Sequence, residues 1–199
     1  MAEIISKDEL KELMENKGEM RGNGPKSMGE IVLKLKGEEG LKKLEETITE
    51  LGYPIKFKKI NSLKFYPVWL APLILLAANR LFGFGDNEFR QMGESDLKFS
   101  PLSRIFIKYF ISIDTVIKNA SKVWRNYHTV GDLKVTEFDK EKRYAVLRIE
   151  NWRLNHFHCQ YLIGYFSAVI KLIVQSKAEI TEIKCPFFGD DYHEFSIKW

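Results

Sequence analysis

Both cysteines of this 199-residue chain, Cys159 and Cys185, stand in its C-terminal stretch, close in sequence to Glu182 and His193. Thiolate, imidazole and carboxylate together suit zinc, which takes four such donors in a tetrahedral shell. A chain that closes such a shell has to bring a helix and a hairpin to one point. Cys159 lies near the start of an apolar segment that reads as a helix over about 155–176. Glu182 and Cys185 end a strand, and His193 follows on the returning strand after a turn at Gly189-Asp190-Asp191. Glu182 and Cys185 are three apart, so a regular strand points them to opposite faces. The strand must bend or end between them, and Pro186 agrees with that. Taken singly, each cysteine also reads as a small buried hydrophobe. A Cys159–Cys185 disulfide is open chemically and disfavoured in a reducing compartment. His156 and His158 are two apart and do not share a helix face, so at most one joins Cys159 at a metal. His128 reads as a surface or satisfied core histidine, and Asp190 and Asp191 as turn formers.

Cys159, Gly164, Glu182, Cys185, Gly189-Asp190 and Phe195 stand in one register. In this the stretch resembles the C-terminal half of the 4-vinyl reductase domain family, which includes sensor domains of bacterial regulators of aromatic catabolism. The family pattern is a Cys opening a helix, a Gly five residues on, Glu-x-x-Cys, and Gly-Asp ahead of a final Cys-x-Phe. This chain departs at one position, with His193 where the family usually has cysteine. The resemblance implies a structural zinc held by Cys159, Glu182, Cys185 and His193. The exchange keeps four ligands and replaces an anionic thiolate by a neutral imidazole.

The length makes one domain the default and suffices for a core without cross-links. With 45% hydrophobic and 29% charged residues, global disorder is excluded. The net charge of +4 comes from 31 basic against 27 acidic residues of interspersed sign, which describes a solvated surface rather than a nucleic-acid interface. Lys56, Lys58, Lys59 and Lys64 form the densest basic patch, without a base-reading motif around them. Two cysteines are too few for a disulfide framework, and no secretory signal precedes the first charged residues, so a cytoplasmic location is expected.

Along the chain, Ser6-Lys-Asp-Glu9 spells a capping box ahead of Leu10, Leu13 and Met14, with Gly18 ending that helix. Gly18 to Gly29 hold four glycines and a proline and read as a loop or connector. Ile31-Val-Leu33-Lys-Leu35 alternates like a strand. Glu38 to Leu51 carries Leu41, Leu44, Ile48 and Leu51 at helical period and stops at Gly52. Ile55 to Ile60 reads as a short strand. Val68 to Ala78 is the most apolar run, too short to span a bilayer and therefore a buried helix. Gly83 to Asn87 is a turn without the lysine and hydroxyl of a phosphate loop. A short helix, Asn87 to Met92, then ends at Gly93. A long helix from Ser100-Pro101 carries a stripe from Leu102 to Ile117. Leu133–Phe138 and Tyr144–Ile149 form a hairpin about Asp139–Arg143. Helices and antiparallel hairpins without a βα repeat argue for an α+β fold.

Trp124-Arg-Asn-Tyr-His-Thr129-Val-Gly131, the hairpin and the Cys159 helix are similar in layout to a wider superfamily. It joins 4-vinyl reductase domains with haem-based nitric-oxide sensors and subunits of a vesicle-tethering transport particle. The similarity is specific over about residues 100–199 and looser back to about residue 30. It does not cover the first thirty residues, which read as an N-terminal helix and connector over 1–29, and it implies a ligand-binding domain over 30–199. It also implies an antiparallel sheet packed against helices, with a hydrophobic pocket between. Phe106, Tyr109, Phe110, Trp124, Tyr165 and Phe166 are the expected pocket walls, and read equally as ordinary core. Tyr109, Tyr165 and Trp124 offer hydrogen-bond donors there. Haem is disfavoured because the Tyr-x-Ser-x-Arg signature of the haem-binding branch is missing. Phenol-sensing members use a histidine and a tryptophan on the ligand hydroxyl, and no histidine occurs between Leu102 and Val123 here.

The expected function is a small-molecule-binding, sensor-type domain for a hydrophobic ligand. A protein-interaction scaffold filled by its own side chains is the competing reading. No Rossmann, flavin or triad motif supports an enzyme. Analogy suggests a homodimer, with the amphipathic first helix as a contact, and a separate output protein. Neither nucleic acid binding nor membrane insertion is expected.

Overall fold

The computed structural model describes residues 4–99 and 112–199. Helix α1 (Lys7–Glu15) opens on the expected capping box. Ser6 Oγ accepts from the Glu9 N–H at 3.2 Å, and Glu9 Oε2 accepts from the Ser6 N–H at 2.8 Å. Ile5, just before this helix, and Leu13 on it are buried in the core, while Ile4 and Met14 stay exposed.

The glycine-rich stretch after α1 is not a loop. Strand β1 (Glu19–Arg21) pairs with β2 (Phe65–Pro67), and helix α2 (Asn23–Glu50) begins two residues later. Pro25 falls in the first turn of α2, where its missing N–H costs nothing. Gly29 lets the helix lie on Phe57; a Cβ there would come within 2.4 Å of that ring. The alternating Ile31–Leu35 segment is helical too, with Ile31 and Val32 buried. Gly37 breaks α2 with φ +69°, a conformation glycine adopts without strain, and the expected helical repeat from Glu38 resumes beyond it. Helix α2 thus runs across the boundary drawn between residues 29 and 30. The expected strand at Ile55–Ile60 is a 3₁₀ turn, Phe57–Lys59. In the basic patch, Lys56 pairs with Glu45 and Lys58 with Glu38.

Helix α3 (Leu70–Phe82) is the apolar run, with eight buried residues, stopped by Gly83 at φ +67°. Helix α4 (Asp86–Phe99) passes straight through Gly93, which therefore does not end it. The first part of the helix expected from Ser100 lies outside the described residues. Ile113, Val116 and Ile117 of its stripe lie on helix α5 (Ile113–Tyr127), which starts from Ser112 in an extended conformation, so the expected single helix does not run through that point.

The larger sheet is antiparallel throughout, in the order β3-β4-β6-β5. Its strands are β3 (Asp132–Asp139), β4 (Tyr144–Glu150), β5 (Glu179–Lys184) and β6 (His193–Lys198). Both hairpins stand where alternation placed them. Helix α6 (His156–Val174), capped by Asn155, lies between β4 and β5 in the chain and buries eight residues. By length and composition it is also the one described helix able to cross a membrane. Here it packs on α4 at two glycines. A Cβ on Gly93 would come 1.9 Å from the Tyr161 carbonyl oxygen, and one on Gly164 would come 2.0 Å from that of Arg90. The result is an α+β fold with helices packed against an antiparallel sheet.

Candidate metal centre and adjoining cavities

The four implied ligands converge. One donor atom from each of Cys159, Glu182, Cys185 and His193 lies within 4.8 Å of all the others. Cys159 comes from the first turn of α6 and Glu182 from β5. Cys185 follows β5, and His193 opens β6. The β5–β6 register shifts between Glu182 and Lys184, the irregularity that the three-residue spacing requires. Past it, the Cys185 N–H donates to Asp190 Oδ2 at 2.8 Å, and the Phe188 N–H to the Cys185 carbonyl at 2.9 Å. Asp190 thus shapes the turn and stays outside the ligand set.

Two of three donor–donor distances suit a tetrahedral ion. A zinc–sulfur bond of about 2.3 Å sets two sulfurs roughly 3.8 Å apart, and the Cys159 and Cys185 Sγ atoms are 3.7 Å apart. Cys159 Sγ lies 3.8 Å from His193 Nδ1. His193 Nδ1 and Glu182 Oε1 are closer, at 2.7 Å. Around zinc that edge would open to roughly 3.4 Å.

The proton on His193 can be assigned from its other nitrogen. Nε2 lies 2.8 Å from the Trp152 carbonyl oxygen, which only accepts, so Nε2 carries a hydrogen. Nδ1 then faces Glu182 across a proton or a cation. Metal-bound histidines commonly pin their second nitrogen this way, which fixes both tautomer and ring. Burial, then Glu182 and Cys185, pushes the Cys159 thiol up; burial does the same to Cys185. A divalent cation reverses that tendency, because it stabilises the thiolates directly.

Neither neighbouring histidine joins the cluster. His156 is exposed against Phe157. His158 is buried between Trp152 and Tyr161, at ring distances of 5.4 and 5.1 Å.

Of the expected pocket walls, Trp124, Tyr165 and Phe166 line one apolar cavity of about 80 Å³, between α5, α6 and the sheet. Phe106, Tyr109 and Phe110 lie outside the described residues. Trp124 is not the free donor expected, since its indole N–H donates to the Gly131 carbonyl at 2.9 Å.

A second, smaller cavity of about 20 Å³, with several polar side chains on its walls, was not visible in the sequence. Asn23, Asp96, His128, His158 and Tyr161 line it. Asp96 accepts from Asn23 Nδ2 at 2.5 Å and from the Tyr161 hydroxyl at 2.7 Å. Burial raises the Asp96 carboxyl to about 6 against the pull of those two bonds. Burial also takes His128 and His158 down to about 3. His128 is half-buried and stacks on Trp124 at 4.1 Å, but its Nδ1 is closed off and has no hydrogen-bond partner among the described residues. It is therefore neither a surface nor a satisfied core histidine. The only local signal was Asn23 and His128 beside glycine-rich turns, which gives no hint that they meet.

No protein-family model matches this sequence, and no curated protein does. Several solved structures match in fold. An H-NOX protein from S. oneidensis in the Fe(II)NO state shares 14% identity over 90% of this chain and 98% of that one, with a TM-score of 0.67. An unliganded Fe(II) H-NOX mutant from K. algicida shares 16% over 90% and 96%, at 0.63. An oxygen-binding H-NOX domain related to soluble guanylate cyclases shares 14% over 89% and 93%, at 0.59. The chain therefore has the fold of the H-NOX domains.

Proposed function

We propose that this chain is a sensor-type domain for a small hydrophobic molecule, related to the 4-vinyl reductase domains and stabilised by a structural zinc. The observation that carries the binding role is the apolar cavity enclosed by α5, α6 and the sheet, with Trp124, Tyr165 and Phe166 on its walls. Binding sites are mostly apolar hollows with a few polar groups that set orientation. Cys159, Glu182, Cys185 and His193 would hold the zinc. Four protein donors leave no open position for a reacting water, so the ion acts in stability rather than catalysis. It would tie α6 to the β5–β6 hairpin.

Haem, raised as a guest by the H-NOX likeness, does not fit the two cavities beside α5 and α6. Drug-sized ligands take roughly 300 Å³ or more, whereas these hold about 80 and 20 Å³. The small apolar volume also favours the second reading, an interaction scaffold filled by its own side chains. The proposal includes a non-enzymatic domain, a homodimer, a separate output protein and a cytoplasmic site of action.

Native mass spectrometry with elemental analysis tests the main reading. One zinc per chain and a retained organic molecule are expected. Protein free of metal after refolding with zinc would overturn the metal assignment. Protein that neither retains nor takes up an apolar ligand would leave the scaffold.

A further inference from the structure

Phe188 is 83% exposed, the most open of the large hydrophobic side chains among the described residues. It stands on the turn after Cys185, which is held by two backbone-centred bonds. The Phe188 N–H donates to the Cys185 carbonyl at 2.9 Å, and the Cys185 N–H donates to Asp190 Oδ2 at 2.8 Å. Three residues beyond Phe188, Asp191 is exposed and forms no ion pair among the described residues. The turn therefore offers an aromatic ring and a carboxylate to solvent side by side.

Beside it runs a groove of about 710 Å³. Leu13, Leu76, Leu154 and Phe157 give the groove apolar lining, and Phe187, the chain neighbour of Phe188, belongs to its wall. Two arginines reach it. Arg80 is spent on Glu9 at 3.1 Å, whereas Arg153 has only the Phe187 ring, 5.8 Å from its guanidinium carbon. Glu12 and Glu15 line the α1 side, without an ion pair among the described residues.

We infer that this groove seats the same turn of a second copy, with Phe188 on its apolar lining and Asp191 on Arg153. The inference rests on the homodimer proposed above and assigns its surface. A second copy is the occupant because the chain carries both halves of the contact. The exposed ring matches the apolar hollow, and the free carboxylate matches the arginine that lacks one. Interface centres are built largely from aromatic and arginine side chains of this kind. Charge also sets the direction of entry, since Glu12 and Glu15 repel Asp191 from the α1 side while Arg153 attracts it. Turn and groove are neighbours on one surface, so a two-fold axis between them carries each Phe188 to the other copy's groove. Such a contact is isologous and closes at two chains.

The test is the dimer dissociation constant of the zinc-loaded full chain, read by sedimentation equilibrium and light scattering. Phe188→Ala should weaken the dimer about a hundredfold, roughly tenfold for each of the two anchors lost. Its zinc content and melting temperature should match the wild type, because the ring lies in solvent in the single chain. Arg153→Asp and Asp191→Arg should each weaken the dimer about tenfold, and the two together should restore it to within about threefold of wild type. Should Phe188→Ala lose zinc, this charge exchange decides alone. A dimer unchanged by Phe188→Ala with zinc retained, or charge reversals that do not rescue each other, would overturn this inference and leave the homodimer on another surface. A single-chain mass for the wild type at concentrations up to about 100 μM would overturn the homodimer with it.

Discussion

His193 shows how one residue links two layers of the structure. Its Nε2 is held by the Trp152 carbonyl just beyond β4, while its Nδ1 reaches Glu182 and Cys159. If zinc fills that shell, Cys185→Ser leaves the remaining donors facing one another across an incomplete site. The expected loss is about 3 kcal/mol or more, about 6–12 °C in melting temperature for a domain this size. His193→Cys should retain the metal, and elemental analysis beside thermal melts checks both. The buried histidines make a separate acid prediction. His158 has a folded value near 3 against 6.5 ordinarily, so below 6.5 the unfolded chain binds a proton that the folded chain refuses. Its contribution is complete above about 6.5 and lost as pH falls, at up to about 1.4 kcal/mol per pH unit. Asp96 works the other way. Its raised value of about 6, against 3.8, means its contribution is complete below 3.8 and lost as pH rises through 6. Between pH 6 and 4, His158→Phe should flatten the stability slope and Asp96→Asn should steepen its fall. Urea titrations at several pH values that gave parallel slopes would contradict this.

At the scale of elements, the α4–α6 contact depends on two positions without a side chain. Gly164 lies against the Arg90 carbonyl and Gly93 against that of Tyr161, so the two helix backbones nearly touch. Gly164→Ala must push them apart and should cost about 1–3 kcal/mol by overpacking, outweighing any gain in helix propensity. Gly85→Ala, with nothing within 4 Å of the added carbon, is the matched control and should change stability little. Chemical denaturation of the two variants separates close approach from a general dislike of alanine. Gly164 was legible as part of a motif, but Gly93 was misread as a helix end. A glycine in a helical pattern reads alike as a stop or as a contact until its neighbour is known.

At the scale of the whole molecule, the first helix belongs to the core. Ile5 and Leu13 are buried, and β1 runs from there to pair with β2 and to bridge Met20 with His128 after α5. Deleting residues 1–18 should therefore destabilise the domain by several kcal/mol, as losing two buried aliphatic side chains at about 2–5 kcal/mol each would suggest. A deletion variant with wild-type melting temperature would contradict this packing. Light scattering tests the proposed homodimer independently of α1, with a two-chain mass expected.

The sequence alone determined what depends on near neighbours: the capping box at Ser6, the apolar helix after Val68, both hairpins, and helix α6. It also carried the four metal-type donors, because their types and spacing survive in the chain order of one helix and one hairpin. Only tertiary structure decided the rest. Alternation at Ile31–Leu35 was overruled by burial of Ile31 and Val32 on one helical face, and the glycines before it served close packing on Phe57. Asn23, Asp96, His128 and His158 come from four separated helices and their ends, and nothing local distinguishes them from surface polar residues. Their shared cavity exists because α4 and α6 approach across Gly93 and Gly164 while β1 draws the start of α2 to the end of α5. That meeting is a property of packing, where partners far apart in the chain set each other's burial and hydrogen bonding.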